Sequence, residues 1–212
     1  MSQVLIFGDS IAYGAWDKEG GWVQRLRKYI DEKVIVSKPQ FYCMVYNLSI
    51  DGDSTEEVLE RVENETRKRL LEEETVFIFA VGINDSCFVK NTEEFLTPFE
   101  EFKNNVQKLI SGAKKFSAKI IFIGLTPVDE KKTNPYFAST TGKSYRNEFI
   151  EKYDKIIKDI CAKNKIHFIE LFEQFKKVDY KKLLEDGLHP NSKGHKIIFE
   201  TVKKFLIENK II

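Results

Sequence analysis

Four short runs of this 212-residue chain hold side chains that could act on one substrate together. The first is Gly8-Asp9-Ser10, directly after the apolar Val4-Leu5-Ile6-Phe7. A serine where a strand gives way to a helix presents its hydroxyl to a cleft, and the backbone N–H groups of such a turn can face a developing anion. The run is neither the Gly-x-Ser-x-Gly elbow nor a phosphate loop, because no Gly-Lys-Ser/Thr follows. The second, Asn47 to Ser54, contains Gly52, which lets the backbone turn tightly and leaves its N–H unobstructed. Asp51, Asp53 and Thr55 do not make a calcium loop, since Glu56 and Val62 stand where that loop needs glycine and glutamate. The third, Gly82-Ile83-Asn84-Asp85, offers an amide donor, with Asp85 available to lock the turn that holds it. The fourth, Asp186-Gly187-Leu188-His189-Pro190, places a carboxylate three residues before a histidine in a Gly/Pro-bounded loop. Asp186 can then bend back to the imidazole Nδ1–H and leave Nε2 free as a base.

Taken singly, each run has an ordinary alternative. Gly, Asp, Ser and Asn cap helices and make turns wherever strands end. His167, at the start of an apolar run, and His195, in the first turns of a helical pattern, read as structural. Together the four supply a hydroxyl, an open glycine N–H, an amide and a buttressed imidazole, the parts that acyl transfer to serine requires.

Those parts need a frame. Strands are predicted at Val4–Phe7, Tyr42–Leu48, Thr75–Val81, Lys119–Gly124 and His167–Leu171, each brief and rich in Val, Ile and Phe, as in strands covered on both faces. Helical stripes lie between or after them: Trp22/Leu26/Tyr29/Ile30, Val58/Leu59/Val62/Leu70, Phe95/Phe99/Phe102/Val106/Leu109/Ile110, Phe149/Tyr153/Ile156/Ile157/Ile160 and Ile197/Ile198/Val202/Phe205. Ser54-Thr55-Glu56-Glu57 reads as a capping box. This alternation predicts one α/β domain over residues 1–212, with a parallel sheet between two helical layers and ligands bound beyond the carboxyl ends of the strands. The irregular Thr126–Ser144 segment reads as a functional loop, a lid or a contact with a second copy, the choice left open.

Composition narrows the class. The 34 basic and 33 acidic residues are interspersed, which gives no charge footprint for nucleic acid. Cys43, Cys87 and Cys161 are odd in number and lack CxxC spacing, so buried thiols in a reducing compartment are expected. No apolar run approaches the roughly 18 residues of a membrane span. Met1-Ser2-Gln3 lacks the basic residues of a secretion signal and its apolar run ends at Asp9, so the expected location is cytoplasmic.

In order and type, Gly8-Asp9-Ser10, Asp51-Gly52-Asp53, Gly82-Ile83-Asn84-Asp85 and Asp186-Gly187-Leu188-His189-Pro190 resemble the four blocks of the SGNH hydrolases, the GDSL esterase/lipase family. The resemblance runs from Val4 to about Gly194, and Ile11 replaces the usual leucine. It implies a flavodoxin-like, three-layer α/β/α fold with five parallel strands. By matching position it implies that Ser10 is the nucleophile, that Asp186 and His189 complete a catalytic triad, and that Ser10 N–H, Gly52 N–H and the Asn84 amide form the oxyanion hole. The expected activity is carboxylester hydrolysis through an acyl-serine, falling at acidic pH as His189 is protonated, with neither cofactor nor metal. A lysophospholipase or thioesterase using the same site, and a non-catalytic nucleotide- or flavin-binding domain on the same scaffold, are the alternatives. The partner expected is a small-molecule ester; self-association is left open. Asp9, Trp16, Phe88, Tyr136 and Phe137 are candidates to border the cleft, the aromatics otherwise serving to pin long loops.

Overall fold

A computed structural model describes residues 2–38, 40–70, 74–117 and 119–212; Met1, the first residue of the Met1-Ser2-Gln3 run, lies outside them. Five parallel strands form the central sheet: β1 (Ser2–Gly8), β2 (Cys43–Asn47), β3 (Glu74–Ala80), β6 (Lys119–Ile123) and β8 (His167–Ile169), in the order β2-β1-β3-β6-β8. This is the flavodoxin-like order, whose strand sequence reverses at β1. The crevice created there lies beyond the carboxyl ends of β1, β2 and β3, where the first three runs fall. Each predicted strand is present, with boundaries moved by at most two residues.

Side chains alternate along the strands and divide the core into two layers. Leu5, Phe7, Phe77, Phe79 and Phe122 face α3 (Thr55–Arg67), α4 (Phe99–Lys114) and α6 (Asn147–Asn164). Their rings form a ladder, with centroids 5.9 Å apart for Phe7–Phe79 and 4.9 Å for Phe79–Phe122. Val4, Ile6, Val76, Ile78, Ile121 and Ile123 face α2 (Gly21–Ser37) and α8 (Ser192–Glu208). Such a core fixes the strand ends: truncating one buried ring would cost roughly 3–5 kcal/mol.

Three stripes differ from expectation, one of them only in that Ile197 lies on the exposed side of α8. Phe95 lies in a short strand rather than in α4, because Pro98 sets the start of that helix. Leu70 lies beyond the end of α3 and is exposed, so it adds nothing to the buried stripe of Val58 and Val62. A second sheet was not legible in the pattern. It pairs β4 (Phe88–Val89) antiparallel with β5 (Glu94–Phe95) and β7 (Lys143–Ser144), strands of two residues each, too short to show a period. It fastens the end of the irregular segment to the loop after β3. Within that segment α5 (Glu130–Thr133) forms one turn. Short helices α1 (Ser10–Tyr13) and α7 (Phe172–Lys176) complete the set with a 3₁₀ turn at Tyr180–Leu183. No described helix is long and apolar enough to cross a membrane. The three cysteines are buried and free, and burial pushes the Cys161 thiol up to about 12.

Candidate active site

Ser10 opens α1, whose N-cap is Asp9: the Asp9 carboxylate accepts from Ile11 N–H at 2.9 Å. Gly8 lets the chain enter this turn, since a Cβ there would lie 2.5 Å from the Ala80 carbonyl oxygen and 2.6 Å from the Ala12 methyl. The Ser10 hydroxyl thus emerges at the carboxyl end of β1, beside the switch in strand order, although the residue is only 5% exposed. Its Oγ stands 2.9 Å from His189 Nε2, across 179 residues of chain.

His189 belongs to a turn that builds its own support. Asp186 Oδ1 accepts from Leu188 N–H at 2.9 Å and from His189 N–H at 2.8 Å, while Oδ2 lies 2.7 Å from His189 Nδ1. Burial would push the Asp186 carboxyl up, but the His189 side chain and these backbone N–H groups hold it well below the usual carboxylate range. Trp16, from the loop after α1, places its indole Nε1 3.0 Å from the same Nδ1. One ring nitrogen cannot donate to Asp186 and accept from Trp16 together. The bond to the ionised carboxylate is charge-assisted and stronger, so we assign the proton to Nδ1 and leave Nε2 as the acceptor facing Ser10. Trp16 sits in the left-handed region, at φ 63°, which is unusual for a bulky residue. Its loop is tied down by Asp17, whose carboxylate accepts from Arg25, Ser192 Oγ, Glu19 N–H and Gly21 N–H.

The opposite wall comes from two other loops. Gly52 occupies a turn closed by the bond from Asp53 N–H to the Ile50 carbonyl, at φ 84°, which only glycine adopts without strain. Arg61 braces both sides of that turn, donating to the Leu48 carbonyl at 2.5 Å and, through Nε, to Asp53 Oδ2 at 2.9 Å. Asn84 donates one amide N–H to the Asp53 carbonyl at 3.0 Å. Asp85 accepts from Thr55 N–H at 3.1 Å and from Thr55 Oγ1 at 2.5 Å, joining the loop after β3 to the first turn of α3. The capping box of Ser54 and Glu57 is also formed there. Neither Ser10 N–H nor Gly52 N–H has an acceptor among the described residues, so both donors are available to a ligand.

Ser10, Gly52, Asn84 and His189 line one open cleft of about 420 Å³. Trp16 and Tyr136 line it as well. Asp9, Phe88 and Phe137 are not among its described lining, and the reasons are local. Asp9 is turned inward as the cap of α1, where burial pushes its carboxyl up to about 7. Phe88 sits in β4 and packs on Phe95 and Phe149, with ring centroids 5.7 and 6.4 Å away. Phe137 is 73% exposed and touches Tyr136 from outside. Sequence reasoning missed Tyr145, which is buried and donates from its hydroxyl to Asn84 Oδ1 at 3.1 Å, and Ser139 and Lys143 on the rim. No spacing signal marks them, because the segment that carries them has no regular period. Among the described residues no cluster of three His, Cys, Asp or Glu side chains is assembled to hold a metal ion.

Comparison with known proteins decides the family. The profile of the GDSL-like lipase/acylhydrolases matches residues 4–202. The chain belongs to that family. A GDSL esterase/lipase of Arabidopsis thaliana is 27% identical over 219 residues, covering 99% of this chain and 87% of that protein. The isoamyl acetate-hydrolyzing esterase of Saccharomyces cerevisiae is 27% identical over 137 residues, covering 62% of this chain and 55% of that protein. Among solved structures, a lipase/acylhydrolase from Enterococcus faecalis superposes with a TM-score of 0.75 at 19% identity, covering 97% of this chain and 95% of that one. An acetylxylan esterase from Geobacillus stearothermophilus gives a TM-score of 0.69 at 18% identity, covering 97% and 93%. These structural neighbours share the α/β/α frame of this GDSL-family protein, which is a serine carboxylester hydrolase.

Proposed function

We propose that this esterase works through an acyl-enzyme on Ser10, with His189 as the base, Asp186 as its partner and the Ser10 N–H, Gly52 N–H and Asn84 amide as the oxyanion hole. The observation that carries this is the continuous chain Ser10 Oγ–His189 Nε2 at 2.9 Å and His189 Nδ1–Asp186 Oδ2 at 2.7 Å. As Ser10 Oγ bonds to the acyl carbon, its proton passes to Nε2. The carbonyl oxygen becomes an oxyanion held by the three N–H donors, and Asp186 stabilises the imidazolium that forms. Collapse of this intermediate breaks the bond to the alcohol oxygen, which leaves with the proton from Nε2. Water then repeats the sequence on the acyl-serine: its proton goes to Nε2, its oxygen bonds to the acyl carbon, and Ser10 Oγ recovers the proton as the acid departs. A ligand-binding domain of the same fold would have no use for an aligned hydroxyl, imidazole and carboxylate.

The substrate proposed is an ester of a short acyl group with a polar alcohol. Asp51, Ser139, Thr140, Thr141 and Lys143 line the outer cleft, offering hydrogen bonds to a leaving group rather than an apolar track for a long chain. Two relatives whose names specify acetate esters, the yeast esterase and the acetylxylan esterase, are consistent with this. The test is hydrolysis of p-nitrophenyl esters of graded chain length and of an acetylated sugar, with fluorophosphonate labelling in parallel. Labelling at Ser10, turnover that falls with acyl length and loss of both in Ser10→Ala are expected. A Ser10→Ala protein of near-normal activity would remove the assignment.

A further inference from the structure

The 125–146 segment between β6 and α6 makes contacts that the proposed chemistry does not by itself require. Tyr136 donates its hydroxyl to Asp186 Oδ2 at 3.0 Å, and Tyr145 donates to Asn84 Oδ1 at 3.1 Å. The two rings meet edge to face, with centroids 5.8 Å apart. The backbone of the segment is held at three places. Asp129 N–H donates to the Gly187 carbonyl at 2.8 Å, within the turn that carries His189. Tyr145 N–H donates to the Thr133 carbonyl at 2.9 Å, and β7 pairs with β4 immediately before Tyr145. Burial keeps both tyrosine hydroxyls protonated and therefore able to donate.

We propose that this segment is a clasp whose two tyrosines are positioning residues: Tyr145 sets the orientation of the Asn84 amide, and Tyr136 holds the Asp186 carboxylate. The proposal rests on the reading of Asn84 and Asp186 given above. An asparagine amide has two orientations of nearly equal shape, and only one turns an N–H into the cleft. In the observed one, Nδ2 donates to the Asp53 carbonyl at 3.0 Å while Oδ1 receives the Tyr145 hydroxyl. Rotating the amide by half a turn would set Oδ1 against the Asp53 carbonyl oxygen and direct no N–H at the incoming oxyanion. Tyr145 therefore acts on the reacting atoms through Asn84. Tyr136 similarly supplies, among the described residues, the one donor to Asp186 Oδ2 that comes from outside the Asp186–His189 turn. Contact between the rings makes the two halves of the site share one support.

Double-mutant cycles test this, because residues that act through one another lose additivity. Tyr145→Phe keeps the ring and removes the donor. It should lower kcat about tenfold, the upper range for one neutral hydrogen bond, with KM little changed. In an Asn84→Ala background the same substitution should cost nothing further. Tyr136→Phe should lower kcat by a smaller factor and lose that effect in Asp186→Ala. The crossed pair of Tyr136→Phe with Asn84→Ala should multiply. Wild-type kcat in Tyr145→Phe, or full multiplication with its own partner at either end, overturns the clasp. If Tyr145→Phe does not fold, the partly exposed Tyr136 decides through its cycle with Asp186→Ala. Ser10→Ala runs alongside: full activity there brings down the catalytic reading and the clasp together, whereas an inactive Ser10→Ala with multiplying tyrosine effects brings down the clasp alone.

Discussion

The two halves of the proposed site are built in opposite ways. The acid–base half is local: Asp186 and His189 stand three residues apart in one turn, and the carboxylate that orients the imidazole also accepts the backbone N–H groups of that turn. The anion-binding half is gathered from the ends of β1, β2 and β3, and beside the local cap at Asp9 it leans on braces from further along the chain, Arg61 across the Gly52 turn, Asp85 to Thr55 and Tyr145 to Asn84. A turn that folds on itself needs little from its surroundings. A pocket gathered from three loops depends on side chains that never touch the substrate.

The contrast can be broken most sharply at its junction. Ser10→Ala and His189→Ala should each reduce kcat by roughly 10⁵–10⁶, with melting temperatures close to that of the parent protein by calorimetry. A smaller loss would mean that the hydroxyl–imidazole pair is not the common centre. On the gathered half, Asn84→Ala should cost about 10²–10³ in kcat with KM nearly constant, measured on p-nitrophenyl acetate. One step further from the chemistry, Arg61→Met leaves Asp53 and the Leu48 carbonyl without their cation. Chemical denaturation should show a loss of about 2 kcal/mol, and kcat should drop because the Gly52 turn loosens. If stability falls and kcat does not, the turn is stiff without its brace and the comparison weakens. Smallest of all, Trp16→Phe removes a donor beside an Asp186–His189 bond that forms without it. A change in kcat of less than about threefold is expected, because with the proton on Nδ1 the indole N–H finds no lone pair there and forfeits at most the low end of a neutral hydrogen bond, about 0.5 kcal/mol.

The same division explains which parts of the molecule are legible in its sequence. The sheet can be read because its strands are short and strongly apolar, and the Asp186–His189 turn because three residues suffice to define it. Gly52 and Asn84 can be named, each with a donor to offer, since the loops that end β2 and β3 must lie in the crevice. Their bracing is hidden. Arg61 lies eight residues beyond Asp53 on α3 and Tyr145 lies 61 residues from Asn84, distances at which no pattern in the chain points from one to the other. Phe88 misleads for a related reason: an aromatic in a loop after β3 looks like a cleft wall until a two-residue strand turns it toward Phe95 and Phe149.

The buried carboxyls have a consequence for handling the enzyme. Burial raises Asp9 and Asp154 to about 7 and Asp85 to about 6, so each favours the folded state below the ordinary carboxylate range and gives up that advantage as pH climbs through those values. His195, lowered by burial to about 4, pulls the other way, favouring the fold above the ordinary histidine range and losing its share on acidification. Asp17 and Asp186, both held low, withdraw their support only in strong acid. Three acids outweigh one histidine, and a thermal melt at about pH 5.5 should therefore exceed one at about pH 8.5. Turnover is a separate matter: the proposed mechanism needs the neutral imidazole of His189, since imidazolium cannot accept the Ser10 proton. Storage therefore favours the acid side of neutrality, whatever pH the assay itself requires.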